Sequence, residues 1–304
     1  MKILVTGGSG FVGRRLVARL VGDGHEVTIT SGGTHVCPGV KRVLYRGLEG
    51  IDWTAVSGQD VVFHQSANND TRCKDESEMY RANVYGPIKL FVTAASSGCK
   101  NFVYASSTAV YGNEPAPYTS STKVAPLNVY GRSKASFDEF AMKFADDFKV
   151  NVTGLRYCNV YGPGEDHKGA RMSMVGQLLR SMLAFRKPQL FSTGDQRRDW
   201  VFVDDVVEAN VLAMQKNSGG RIYNLGSGSA VSFNEVVAAI NELLSEKAGR
   251  LAPMEPAYVD CPFPSEYQSY TCCEMKEAEC DLGLVVKYDL RKGIDSYLSS
   301  LLAT

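Results

Sequence analysis

Tyr130 and Lys134 stand four residues apart in Asn128-Val129-Tyr130-Gly131-Arg132-Ser133-Lys134. On a helix that spacing sends both side chains out of one face. A nearby ammonium lowers a phenol pKa from its reference of about 10 toward neutrality. Such a phenol can take the proton of a sugar hydroxyl while hydride leaves the carbon. Ser107 follows the β-rich run Phe102-Val103-Tyr104-Ala105 and can orient the reacting oxygen toward Tyr130. Lys134 has a second expected use, holding the ribose of a nicotinamide cofactor. Spacing alone decides little, because Tyr85/Lys89 and Tyr288/Lys292 repeat it. The surroundings of Tyr130 set that pair apart.

The first of these surroundings is Thr6-Gly7-Gly8-Ser9-Gly10-Phe11-Val12-Gly13, between the apolar run Ile3-Leu4-Val5 and an amphipathic stretch. Glycines there permit a tight turn and let backbone N–H groups approach a pyrophosphate at a helix N-terminus. Gly7, Gly10, Phe11, Val12 and Gly13 are therefore expected to touch a dinucleotide. The spacing is Gly-x-x-Gly-x-x-Gly, and its position after a strand and before a helix gives it weight. The second strand ends Thr28-Ile29-Thr30-Ser31-Gly32-Gly33, with no acid for an adenosine ribose. Thr30 and Ser31 would line that end. An uncharged turn favours NADP over NAD, with Arg14, His35, Lys41 or Arg42 as the counter-charge.

These residues need a scaffold. The first 160 residues alternate β-rich runs with amphipathic helices, which predicts an α/β fold with a doubly wound parallel sheet. Strands are expected at Ile3–Val5, Val27–Ile29, Val61–Phe63, Phe102–Ala105 and Val152–Arg156. Helices are expected over Phe11–Val21, Glu78–Ser97, from Tyr130 through Phe148, and over Met172–Phe185. Phe137, Phe140, Phe144 and Phe148 read as core. Val201–Ala213 and Arg221–Leu225 read as a return to the sheet, Leu251–Tyr270 as loop, and Leu290–Leu302 as a last helix. Residues 1–157 with 199–226 are expected to form the dinucleotide domain. Residues 158–198 with 227–304 are expected to form a smaller, discontinuous substrate lobe, with the substrate between the two.

Bulk properties narrow the partners. The chain has 304 residues, 44% hydrophobic and 22% charged, with 33 basic and 33 acidic side chains. That balance gives no electrostatic case for nucleic acid or an anionic membrane. No stretch approaches the ~20 apolar residues of a membrane span, and the N-terminal residues lack a signal peptide. A cytoplasmic location is expected. The eight cysteines show no Cys-x-x-Cys and no metal-like spacing with the four histidines. Free thiols and no metal are expected, with Cys261, Cys272, Cys273 and Cys280 the one set of redox interest.

Taken together, the glycine turn, Ser107-Thr108, Tyr130-Gly131-Arg132-Ser133-Lys134 and Arg198-Asp199-Trp200-Val201 resemble the extended short-chain dehydrogenase/reductase family that modifies nucleotide sugars. The resemblance covers essentially the whole chain and implies a Rossmann-type fold. Pro126-Leu127-Asn128-Val129-Tyr130-Gly131, Arg156-Tyr157-Cys158-Asn159-Val160-Tyr161-Gly162-Pro163-Gly164-Glu165-Asp166-His167-Lys168-Gly169 and Tyr267-Gln268-Ser269-Tyr270-Thr271 are most similar to its heptose 6-epimerase branch. The UDP-hexose 4-epimerase branch is the alternative. A non-catalytic dinucleotide sensor is a distant one, since Tyr130 and Lys134 are both present. A dehydratase would need an acidic pair where Thr108-Ala109 follows Ser107.

By the same resemblance, a tightly held NADP or NAD is reduced and reoxidised in each turnover. Lys168 would be a second acid/base facing Tyr130 across the sugar. Gln65, Ala67, Asn83 and Val160 would contact the cofactor. Asn159, Gln177, Phe191 and Tyr267 would line the pocket for a nucleotide-diphosphate sugar, and Arg198 would clamp its diphosphate. The chain departs from the branch at Ala170 and Gln177, where Ser and His are expected. A homo-oligomer is implied.

Overall fold

The computed structural model describes residues 1–31, 39–44, 53–216, 219–250, 252–262 and 267–303. In chain order the strands are β1 (Lys2–Thr6), β2 (Glu26–Ser31), β3 (Lys41–Leu44), β4 (Val61–His64), β5 (Asn101–Ser107) and β6 (Asn151–Tyr157). There follow β7 (Asn159–Tyr161), β8 (Gln189–Phe191), β9 (Arg197–Phe202), β10 (Gly220–Leu225), β11 (Ala230–Ser232) and β12 (Ala257–Val259). The helices are α1 (Phe11–Gly22), α2 (Glu76–Tyr80), α3 (Gly86–Ser96), α4 (Val129–Phe148), α5 (Met174–Leu183), α6 (Val203–Gln215), α7 (Phe233–Ala248) and α8 (Leu290–Leu302).

Ile3, Leu4, Val5, Val61, Val62 and Phe63 are buried on both faces of their strands, the pattern of a parallel sheet covered by helices on each side. The expected doubly wound sheet is present. Seven parallel strands lie in the order β10-β6-β5-β4-β1-β2-β3. The order reverses between β1 and β4, so a crevice opens outside their carboxyl ends. Thr6 pairs with His64, His64 with Tyr104, and Ser107 with Tyr157, which brings four strand ends to one edge. Beyond that edge, β11, β9 and β7 form a small sheet, and β12 pairs with β8. There α5, α7 and α8 enclose a second core around Leu179, Trp200, Phe202, Ile240 and Tyr297.

Three elements differ from expectation, the first being β12, which lies within the Leu251–Tyr270 stretch read as loop and pairs with β8. The helix foreseen over Glu78–Ser97 is α2, a π-helical turn at Arg81–Tyr85, and α3. Pro87 sits in the first turn of α3. A proline ring collides with the carbonyl four residues earlier in a regular helix, and the wider turn relieves that contact. Val201–Ala213 is not a return to the large sheet. Its first two residues end β9 in the small sheet, and Val203 onward is α6. The Val-rich composition reads as strand. Burial against α1, through Val206, Val207 and Val211 with Leu16, Val17 and Leu20, makes it a helix instead. Asp204 and Asp205 in its first turn complement the positive helix end. Arg221–Leu225 does rejoin the sheet, as edge strand β10.

The aromatic run on α4 packs as foreseen at Phe137, which is buried. Phe140, Phe144 and Phe148 are half-buried against the same core.

Candidate active site

A cavity of about 400 Å³ lies at the carboxyl edge of the large sheet. One wall is the glycine turn. Gly10 caps α1 without a side-chain acceptor, and Gly10, Phe11, Val12 and Gly13 line the space. A Cβ on Gly7, at φ 68°, would meet the Ser66 backbone nitrogen at 2.9 Å, and one on Gly13 would collide with the Gly7 carbonyl oxygen. Only glycine lets the turn lie this close to the chain after β4 and keeps an uncapped helix end open to the cavity. That geometry fits a dinucleotide pyrophosphate.

The opposite wall is the start of α4. The Asn128 side chain accepts from Gly131 N at 2.8 Å and caps the helix, placing Tyr130 in its first turn. A Cβ on Gly131 would lie 2.6 Å from the Ala109 carbonyl oxygen. The glycine therefore permits α4 to approach the turn after β5, and Tyr130 reaches a hydrogen bond with Ser107. Lys134 Nζ donates to the Ala105 carbonyl at 2.9 Å and lies 5.9 Å from the Tyr130 ring centre. Tyr130, Lys134 and Ser107 all line the cavity. Tyr85 is 60% exposed, and neither it nor Tyr288 is among the lining residues.

The electrostatics correct one expectation. Lys134 does not draw the Tyr130 phenol down. Burial pushes the phenol up, the Ser107 hydrogen bond opposes this, and the Asp138 charge adds to it. Burial also lowers Lys134 to about 8 against the upward pull of Asp138. Desolvation is the largest influence on both groups and disfavours both charged forms. Asp138 is one further turn along α4 and is itself held by Arg156 Nε at 2.9 Å.

Of the other expected cofactor residues, Gln65, Ala67 and Val160 line the cavity. Gln65 is locked by Asn210 (2.9 Å) and Tyr157 (3.1 Å), and Asn210 also donates to the Tyr157 hydroxyl at 2.8 Å. Asn83 is not a lining residue. It is buried in the π-helical turn, where it brackets Asn68 and donates to Ser133 Oγ at 3.1 Å. Thr30 is buried, and its carbonyl receives the Gly7 and Gly8 amides. Arg14 packs its guanidinium against Gly164. His35 lies outside the described residues, as do the side chains of Ser31, Lys41 and Arg42.

Lys168 also faces this cavity, with His167 and Arg171 beside it. Its Nζ is 3.2 Å from Glu165 and 4.9 Å from the Phe11 ring centre. The remaining substrate candidates gather elsewhere. Arg198 lies 4.9 Å from the Tyr267 ring centre, and Tyr267 packs edge-on against Phe191. Asn159 donates to the Asp199 carbonyl at 3.2 Å, and Gln177 folds onto the Met172 carbonyl at 2.8 Å. Neither is among the lining residues.

Tyr157, Cys158 and Arg171 line the cavity without having been singled out in the sequence. Arg171 lies three residues beyond Lys168, but the helical turn breaks between them at Gly169 (φ 55°), so regular spacing did not reveal it. The redox reading of the C-terminal cysteines needs correction. Cys273 pairs in space with Cys158, Sγ to Sγ 2.8 Å, and not with its sequence neighbours. Asp199 completes a buried group with them, but its carboxylate already accepts from Ser227, Gly228 and the Cys273 amide.

The model of the NAD dependent epimerase/dehydratase family matches residues 3–226. The chain belongs to that family. It is 32% identical to the ADP-L-glycero-D-manno-heptose-6-epimerase of Alkalilimnicola ehrlichii, over 98% of this chain and 97% of that one. The crystal structure of the Helicobacter pylori ADP-L-glycero-D-manno-heptose-6-epimerase is 31% identical, with TM-score 0.84 over 100% of this chain and 96% of its own. MoeE5 in complex with UDP-glucuronic acid and NAD is 28% identical, with TM-score 0.89 over 100% and 99%. Among the described residues no helix is long and apolar enough to cross a membrane.

Proposed function

We propose that the chain is a nucleotide-sugar epimerase that oxidises one carbinol carbon to a ketone and reduces it from the opposite face. The substrate we favour is ADP-glycero-manno-heptose, inverted at C6. One observation carries the reading: Tyr130, Ser107 and Lys168 face a single cavity from three different elements, beside a glycine turn that fits a dinucleotide. A bound nicotinamide dinucleotide supplies the hydride acceptor and donor, and in its oxidised form a positive ring that helps the phenol ionise.

Ser107 orients the sugar hydroxyl and Tyr130 removes its proton. Lys134 holds the cofactor ribose through its amine, as its bond to Ala105 leaves further donors. When the ketone presents its other face, Lys168 gives a proton to the oxygen. A proton donor available in each pose of the ketone permits inversion, and Lys168 supplies the second. Arg198, Tyr267, Phe191, Asn159 and Gln177 belong to the sugar-nucleotide side, in the lobe 158–198 with 227–304. The dinucleotide belongs to 1–157 with 199–226. Thr30, with no carboxylate beside it, favours NADP over the NAD of MoeE5. A UDP-hexose 4-epimerase is the second reading, favoured by the UDP-sugar bound in MoeE5.

The test is NMR of ADP-, UDP- and GDP-sugars incubated with the protein in heavy water. ADP-heptose should invert at C6 without deuterium entering that carbon. Deuterium at C6 would refute hydride return, and inversion of a UDP-hexose at C4 alone would select the second reading. Denaturing the same sample releases the dinucleotide for identification.

A further inference from the structure

Glu165 is a fully buried carboxylate on the loop that carries Lys168. A charge out of water survives only when paired and hydrogen-bonded, and Glu165 is both. Ser173 donates to it twice, from its backbone N at 2.7 Å and its hydroxyl at 2.6 Å. Lys168 Nζ donates at 3.2 Å. Gly176 leaves the room: a Cβ there would stand 2.6 Å from Glu165 Oε1.

The anchors of this carboxylate run in two directions. Ser173 is the N-cap of α5 and also receives the Gly176 amide at 3.0 Å, so Glu165 is tied to a helix end. On the other side, Arg15 of α1 donates to the Pro163 carbonyl at 3.2 and 3.3 Å while it pairs with Asp204. The loop is thus pinned to the helix that opens at the glycine turn. Lys168 is held between Glu165 and the ring of Phe11, the first residue of α1.

We propose that Glu165 is a positioning residue for the reaction, fixing the Lys168 ammonium toward the shared cavity and locking its loop to α5. The inference rests on the reading above that Lys168 delivers a proton. A four-carbon stem has many rotamers, and a carboxylate that selects one supplies the orientation that proton transfer requires.

The test is a double-mutant cycle on the full chain with ADP-heptose as probe, reading kcat, KM and dinucleotide content for E165Q, K168M and the pair. E165Q is expected to lower kcat at least tenfold, with KM and dinucleotide content within twofold. Added to K168M, it should change the slow residual turnover by less than twofold. An equal loss in both backgrounds would overturn the proposal while leaving the role of Lys168 standing. A wild-type rate for K168M would remove that role and the proposal with it. Should E165Q fail to fold, E165D keeps the charge for Ser173 and shortens the reach to Lys168. It is expected to show the same background dependence, and its absence overturns the proposal. S173A controls for helix capping: it should lower Tm yet leave the cycle's coupling intact, and loss of that coupling would assign the effect to α5.

Discussion

Lys134 is a cation kept where a cation is unwelcome. Burial takes its ammonium from an ordinary 10.5 to about 8, so at pH 7 the folded state carries a charge it disfavours by about 3 kcal/mol. The sign follows from proton counts. Between pH 8 and 10.5 the unfolded lysine is protonated and the folded one is not, so stability rises with pH through that window. Lys134→Met removes the charge at similar volume and forfeits the bond to Ala105, a loss of about 1 kcal/mol. We expect this variant to be inactive and to melt higher than the parent at pH 7. The gap in Tm should close as pH rises from 8 to 10.5. A variant that melts lower at every pH would contradict the strain placed on Lys134. The candidate pair was legible only with its surroundings, the glycine turn and Ser107, because the four-residue spacing recurs at Tyr85/Lys89 and Tyr288/Lys292. Its pKa shifts were not, because they depend on the depth of burial, on Ser107 and on Asp138.

Glycine 131 is where element packing and chemistry meet. The helix α4 lies so near the turn after β5 that a Cβ at this position would stand 2.6 Å from the Ala109 carbonyl and 2.9 Å from Pro126. Gly131→Ala should shift α4 away from Ser107 at a stability loss of about 1–3 kcal/mol. Misplacing Tyr130 by even an ångström should lower kcat by roughly 100-fold. Thermal melts and initial rates on one preparation check both, and an unchanged kcat would mean that α4 can yield without disturbing the site. At this scale the strands and most helices were readable from apolar periodicity. The helix α6 was not, since its valines obey a tertiary environment, with α1 on one side and the sheet on the other. The bonds that hold Gln65 in the cavity wall were equally hidden, since they join it to Tyr157 and to the buried Asn210, 92 and 145 positions away.

Across the whole molecule, the carboxyl edge of the sheet gathers the candidate catalytic groups, and the same burial governs how the fold responds to acid. His64 ends β4 inside this edge, bonded to Thr6 Oγ1 at 2.8 Å, and burial, helped by the Lys134 charge, lowers it from 6.5 to about 3. As pH falls through that interval the unfolded histidine takes a proton and the folded one does not, so stability is lost, on the order of 4–5 kcal/mol in full. His64→Gln should flatten the fall in Tm between pH 6.5 and 4, and an equally steep fall would place the acid sensitivity elsewhere. The architecture was legible, and so was the grouping of the glycine turn, the Ser107 strand end and Tyr130–Lys134 around one cavity, because each is a short motif. Contacts that join distant positions were not, as with the Cys158 and Cys273 thiols, 115 positions apart. In the proposed function one phenol bears the heaviest part of the chemistry. Its direct test is Tyr130→Phe, assayed by NMR for inversion of ADP-heptose and, after denaturation, for released dinucleotide. The expected result is turnover lower by 100-fold or more, the range for a lost general base, with dinucleotide content equal to the parent. Inversion at the parent rate would contradict the assignment of Tyr130 as the base.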